Sequence, residues 1–186
     1  MIHKELRINI NHKLDLEKEA LNKYSEDLRR SFEEITIKGN SILVVKEEYI
    51  ILLNKNHVEF RFKESYKNKE NIVNTVIEIL GINKEIEEVV FGILGEVPYK
   101  HENLNQLFKS VPLNIETEIL GLKLIENNIT YYISLTDLQA EDYNRKCLVK
   151  TKFKGMQAID ISKKIDEFIN IVLNDISKSI NEFLKE

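Results

Sequence analysis

Residues 41–63, SILVVKEEYIILLNKNHVEFRFK, decide the fold class of this chain. They divide into three strand-length apolar runs, Ser41–Lys46, Tyr49–Leu53 and Val58–Lys63. The links between these runs are short and polar, which permits hairpins and excludes parallel crossover connections. In the last run Val58, Phe60 and Phe62 alternate with charged residues. The segment therefore predicts antiparallel strands with one core face and one wet face.

The elements around this meander follow an order that occurs twice. Residues 6–80 predict a strand, a helix, a meander of about four strands and a second helix, and residues 89–184 predict the same order again. No stretch of sequence repeats with this order, so the repeat is one of pattern. The predicted fold is α+β, with two β-α-β(4)-α halves, residues 1–83 and 84–186, in one globular unit. The halves are expected to share a curved, largely antiparallel sheet with helices on one face.

Capping residues and apolar stripes predict the helices. Asp15 is the expected N-cap of a first helix of about 18 residues, in which an apolar residue recurs at every fourth position. Asn68 is the expected N-cap of the second helix, and Gly81 is expected to end it as the C′ residue. Asp160 is the expected N-cap of the final helix, whose apolar stripe runs for about 24 residues.

Glycines punctuate the predicted strands of the second half. Gly92 and Gly95 indicate a bulge or a close backbone approach near the end of the half's first strand. Gly121 is interpreted as a bend between two short strands, and Gly155 as the end of the last strand. A short helix is expected over residues 104–111.

Length, charge and cysteine content restrict the class of protein. A chain of 186 residues can bury about 70% of its unfolded surface and needs no covalent staples. The net charge of −4 argues against a general nucleic-acid binder, because phosphate neutralisation dominates such affinity. The single cysteine, Cys147, excludes an intrachain disulfide and fits a reducing compartment. Neither a signal peptide nor a membrane-length apolar run is present, so a cytoplasmic location is expected.

The order of strand, helix, four strands and helix, used twice, looks like the duplicated fold of TATA-binding proteins, and each half resembles the wider helix-grip architecture. The resemblance implies a saddle-shaped sheet with helices on its convex side and a concave face free to bind. The chain departs from that family in its acidity and because only five of its 27 basic residues are Arg. No functional residue is carried over. The stretch Ile161–Leu184 also resembles the closing helix of uncharacterised bacterial proteins found near defence genes.

One basic segment is a candidate site for an anion or a nucleic acid. Lys150, Lys152 and Lys154 alternate along the last strand, so their ammonium groups share one face, and Arg145 and Lys146 precede them. The alternative interpretation is a solvated strand face, or an edge that lysines protect from aggregation.

The polar connection over residues 136–146 is a candidate site for a protein partner. It carries Asp137, Glu141, Asp142 and Tyr143. Carboxylates in a loop can bind a hard cation, but the spacing and central glycine of an EF-hand are absent. An acidic tip with an aromatic residue suits protein recognition, since aromatic anchors dominate interfaces. The alternative is a flexible acidic loop without a function.

The remaining chemistry-bearing residues predict no catalytic, cofactor or metal site. The four histidines, one of them His101 beside Glu102, lack metal-ligand spacing. Cys147 is expected to be a small buried apolar residue rather than a nucleophile. Tyr131 and Tyr132 must point to opposite faces of a strand, so one is expected in the core and one at the surface.

The function that fits best is a non-catalytic binding protein, such as an adaptor, inhibitor or immunity factor. The Asn-, Lys- and Ile-rich composition indicates a low-GC bacterium or its phage as the source. One alternative is a small-molecule binder with a helix-grip cavity beneath the final helix, and another is a nucleic-acid binder that uses the lysine strand. An enzyme is the least supported class. A homodimer through the last helix or a sheet edge is also open.

Overall fold

The computed structural model describes residues 1–83, 85–98, 119–126, 128–139 and 144–184. In these residues the strands are β1 Ile2–Asn11, β2 Ile35–Lys38, β3 Ser41–Val45, β4 Tyr49–Leu53, β5 His57–Lys63, β6 Glu85–Pro98, β7 Ile119–Glu126, β8 Ile129–Gln139 and β9 Asn144–Gln157. The helices are α1 Lys18–Ser31, α2 Lys69–Ile79, α3 Ala158–Ile171 and α4 Ser177–Phe183, and a π-helical turn, Val172–Ile176, joins α3 to α4.

The nine strands found in the described residues form one sheet, in the order β2-β3-β4-β5-β1-β6-β9-β8-β7. The pairs β1–β5, β2–β3, β3–β4, β4–β5, β7–β8 and β8–β9 are antiparallel. The predicted α+β class with a largely antiparallel sheet is confirmed. The duplication is not, because β1–β5 precede α2 whereas the described part of the second half holds only β6–β9.

Close contacts divide the chain into two compact units. The first unit comprises Glu5–Phe91 and Lys152–Phe168, and the second comprises Met1–Lys4, Gly92–Thr151 and Ile169–Glu186. The predicted halves, residues 1–83 and 84–186, were defined by the repeated order of elements and not by contacts between residues. That division therefore stays a prediction.

The first unit has the one-sided sheet that the meander predicts. Val58, Phe60 and Phe62 of β5 are buried, and the residues between them are only partly so. The packing of the unit includes an aromatic cluster, in which the ring of Phe91 lies 5.7 Å from that of Phe153 and 5.6 Å from that of Phe168. Burial of such side chains is the main stabilising term of the unit.

The ends of α2 follow the sequence prediction. Asn68 is its N-cap residue, and Gly81 follows the C-cap residue with φ +64°. The Gly81 N–H donates to the Glu78 carbonyl at 3.0 Å, and the Ile82 N–H donates to the Ile77 carbonyl at 3.0 Å. These two bonds form a Schellman motif, which needs a left-handed residue at C′ and so explains the glycine.

Three helix predictions are wrong in detail. The first helix has 14 residues with Glu17 as its N-cap, because Asp15 accepts a bond from the Glu17 N–H at 3.1 Å and forms a turn before the helix begins. The last helix begins at Ala158, so Asp160 lies in its first turn and is not the N-cap. The π-helical turn also interrupts the helix that the apolar stripe predicted as continuous. The helix expected over residues 104–111 lies outside the described residues.

Two strand predictions based on glycine are also wrong. Gly121 pairs with Ser134 inside the single strand β7, where it makes no bend. Gly155 does not end the last strand, since β9 continues to Gln157. The connection predicted over residues 136–146 is shorter than expected, because β8 extends to Gln139 and β9 starts at Asn144. Added ladder hydrogen bonds extend both strands into residues whose polarity predicted a loop.

Candidate functional site

In the second unit, β8 and the part of β9 that ends at Thr151 have one buried face and one exposed face, and β7 extends the sheet beside β8. Tyr131, Ile133 and Leu135 of β8 and Cys147 and Val149 of β9 are buried. The residues between them point the other way, because side chains alternate along a strand. We call this opposite side the outer face; its described side chains are Ile119, Lys123, Ile125, Thr130, Tyr132, Ser134, Thr136, Lys146, Leu148 and Lys150, and Gly121 lies among them.

A row of three residues crosses the middle of the outer face. Lys123 of β7 is the register partner of Tyr132 of β8, which is in turn the partner of Lys150 of β9. Directly opposed residues have Cβ atoms about 4.5–5.5 Å apart, so the lysines flank the tyrosine ring on both sides. Tyr132 is 48% exposed. We name this set the Lys–Tyr–Lys row.

A shallow trough lies next to the row. Gly121, Ser134 and Leu148 are register partners on β7, β8 and β9. A Cβ atom placed on Gly121 would have no heavy atom within 4 Å, so the space above this glycine is open. Ile119, which is 62% exposed, lies beyond the trough, and Ile125, which is 65% exposed, lies on the far side of the row. Ile125 is therefore a diagonal neighbour of Tyr132 on a surface open to solvent, whereas Ile119 lies across the trough from the tyrosine.

The charge on the outer face is of one sign. Lys123, Lys146 and Lys150 are exposed there, and none of the described side chains on this face is a carboxylate. The adjoining strand β6 carries a carboxylate on the same side of the sheet, Glu96, which forms an ion pair with Lys4 at 3.7 Å. The outer face is thus a basic surface on a chain whose net charge is −4.

The structure separates the basic residues that the sequence grouped together. Arg145 is 4% exposed and lies on the buried face, so it shares no surface with Lys146 or Lys150. Lys152 belongs to the first unit and lies 3.5 Å from the Glu88 carboxylate. The exposed Lys154 belongs to that unit too. Of the five basic residues that the sequence grouped, only Lys146 and Lys150 contribute to the outer face.

The acidic candidates lie mostly outside the described part of the chain. Glu141, Asp142 and Tyr143 are beyond the described residues, and Asp137 falls within β8. The protein-binding role assigned to these four residues stays a prediction.

The titratable groups show no arrangement for catalysis among the residues described. Burial raises the pKa of the Cys147 thiol to about 12, so the thiolate that would act as a nucleophile is scarce near neutral pH. The expectation that Cys147 is buried is confirmed, as is the division of Tyr131 and Tyr132 between core and surface. No group of three or more His, Cys, Asp or Glu residues in the described ranges could hold a metal ion.

Two cavities in the first unit could admit a small molecule, and the second of them is mainly polar. One of about 610 Å³ is lined by residues 13–17 and by Asn40, Lys55 and Asn56. The other, of about 410 Å³, lies at the start of α2 beside Lys69 and Asp166. Burial lowers the pKa of the Lys69 ammonium, which donates to the carbonyl groups of Glu64 and Tyr66. Because backbone oxygens already take up this charge, Lys69 adds little attraction for an anion in the second cavity.

The sequence pointed to Lys150 and Tyr132 but missed their neighbours. Ile119, Gly121, Lys123 and Ile125 alternate at period two, which is the pattern of one strand face. The interpretation of Gly121 as a bend concealed that pattern.

Comparison of the chain with protein-family models and with curated proteins finds no match. None of the helices that the structure describes combines the length and the apolar character needed to cross a membrane.

Proposed function

We propose that this chain is a non-catalytic binding protein that holds another protein on the outer face of β7–β9. The observation that carries the proposal is the exposed Tyr132 between two lysines, with Ile125 diagonally beside it and Ile119 across the trough. Aromatic anchors with aliphatic neighbours and a charged rim are the composition of protein interfaces. An adaptor, an inhibitor or an immunity factor of a bacterium or phage would each use such a surface.

The duplicated, TATA-binding-protein-like architecture is part of the same proposal. The strand order supports it, since β1 lies beside β5, the last strand of its meander, and β6 lies beside β9, the last strand before the final helix. A rigid sheet with one face open is a scaffold for binding, and it requires no catalytic group.

Nucleic-acid binding is the second candidate, and the Lys–Tyr–Lys row is the observation in its favour. Bases stack on exposed aromatic side chains while lysines neutralise phosphates. The net charge of −4 acts against this function at long range. Such binding would weaken steeply between low and moderate salt.

Affinity purification of the tagged protein from its native host at physiological salt tests the proposal, with identification by mass spectrometry and absorbance at 260 nm. We expect one protein to co-purify in a stoichiometric amount and to be lost when the bait carries Tyr132→Ser. Ile159→Ser, which alters an exposed aliphatic residue on α3 of the first unit, should retain it. A partner held equally by both variants, co-purifying nucleic acid, or no partner would each contradict the proposal.

A further inference from the structure

We propose that the segment bound by the outer face is an extended, acidic stretch of the partner, with the pattern acidic-x-apolar-x-acidic. Its two carboxylates would pair with Lys123 and Lys150, and its apolar side chain would lie on Tyr132. This inference rests on the proposed protein-binding function and adds the chemistry of the partner.

Charge complementarity identifies the partner as acidic. Three ammonium groups stand on the outer face, whose described side chains include no carboxylate, and Glu96 of the adjoining β6 is already paired with Lys4. By contrast, Lys152 in the first unit has Glu88 within 3.5 Å, and Glu88 also accepts a bond from the Asn11 amide at 2.9 Å. Like-charged groups left together on a surface repel one another, so a partner carboxylate gains from both lysines.

The spacing of the row matches an extended chain. Lys123 and Lys150 lie two strands apart, which is about 10 Å across the sheet. In an extended segment every second side chain points to the same face, and residues i and i+4 are about 13 Å apart. The flexible stem of each lysine spans the small difference. Three side chains of one segment can then meet the lysine, the tyrosine and the second lysine in turn.

The trough beside the row offers a place for the backbone or a small side chain of the segment. Its floor is Gly121 and Ser134, and the open space above Gly121 would be filled by any larger residue. Gly121→Val should therefore obstruct binding without weakening the strand, because β-branched residues favour strands and glycine does not. Loss of binding in this variant is therefore expected to come from the filled space and not from a weakened strand.

The same surface favours a protein over a nucleic acid as the occupant. Ile119 and Ile125 are more exposed than Tyr132, and branched aliphatic groups suit apolar side chains rather than a phosphate backbone. The described side chains of the face provide three lysines and no arginine, which is the residue that binds phosphates through two bonds.

Selection from a random peptide library displayed on phage, against the full chain at 150 mM salt, tests the inference. We expect the recovered peptides to carry the acidic-x-apolar-x-acidic pattern. Synthetic versions should bind Lys123→Gln/Lys150→Gln about five- to tenfold more weakly than the unaltered protein, since each exposed ion pair contributes modestly. Gly121→Val should also weaken binding, and Lys178→Gln, an exposed lysine on α4, should not.

The outcomes separate this inference from the function on which it rests. Peptides that need Tyr132 but show no acidic pattern would overturn the inference of an acidic segment. They would leave the proposed protein-binding surface in place. Peptides insensitive to Tyr132→Ser, together with a purified partner that is equally insensitive, would overturn both. Displacement of acidic peptides by mixed-sequence single-stranded DNA at submicromolar concentration would assign the face to nucleic acid instead.

Discussion

Alkaline pH should destabilise the folded chain through Cys147. Burial raises the pKa of its thiol from an ordinary value of 9.0 to about 12. Between these values the unfolded chain releases a proton that the folded chain keeps, so the free energy of unfolding falls as pH rises. From pH 7 to pH 10 the loss attributable to this one group is about 1.4 kcal/mol, since each unit of pKa difference corresponds to 1.36 kcal/mol.

Urea denaturation at pH 7 and pH 10, in the presence of a reductant, measures this loss. Other groups contribute to it, because burial also raises the pKa of Tyr49 and Tyr66. Cys147→Ala removes the thiol and keeps those groups. The variant should be less stable at pH 7, because a buried side chain is truncated, but it should lose about 1.4 kcal/mol less than the unaltered protein on going to pH 10.

Equal losses in the two proteins would refute this account of the buried thiol. They would mean that Cys147 reaches solvent or that the second unit opens before the rest of the chain unfolds. Alkylation by iodoacetamide at pH 7 provides an independent check. It should modify the denatured protein and leave the folded protein largely unmodified, because a buried thiol is neither ionised nor accessible.

Substitutions at three positions test the packing by urea denaturation. Gly95→Ala should cost about 1–3 kcal/mol, since its Cβ would lie 2.5 Å from the Ile2 carbonyl oxygen, which is backbone and moves only with its strand; an unchanged midpoint would contradict this contact. Phe91→Ala should cost about 3–5 kcal/mol, because the residue is fully buried among aromatic rings. A cost no larger than that of truncating an exposed side chain would argue against its place in the core. Gly81→Ala should cost about 1 kcal/mol and Gly81→Asn less, because asparagine tolerates the left-handed conformation at φ +64°; equal costs would count against the Schellman motif.

The first half of the fold was predictable because its signals are local. The predicted strand Tyr49–Leu53 is β4 to the residue, and β3 and β5 differ from their predictions by a single residue at one end. Alternation of apolar and charged residues and links of a few residues specify such hairpins without information from elsewhere in the chain.

The glycines of the second half misled because sequence does not say which conformation a glycine adopts. Gly155 has φ +64° within β9, where a Cβ atom would lie 2.5 Å from Glu85 Oε1, so it accommodates a distortion inside the strand rather than ending it. Gly121 has open space around it and ordinary strand pairing. The expectation of a close backbone approach at Gly95 is confirmed by the nearby Ile2 carbonyl.

The candidate site could be predicted only in part, because its composition depends on strand register. The sequence of β9 alone places Lys150 and Lys152 on the same side, yet Glu88 pairs with Lys152, while Lys150 lies opposite Tyr132. A shift of one residue in the pairing of β7 with β8 would move Lys123 to the other face and leave Tyr132 beside an aliphatic residue. The chemistry proposed for the outer face therefore belongs to a pairing between distant segments, and a search for linear motifs finds only its separate parts. For the same reason, variants that change side chains and keep the register are the ones that can test the site.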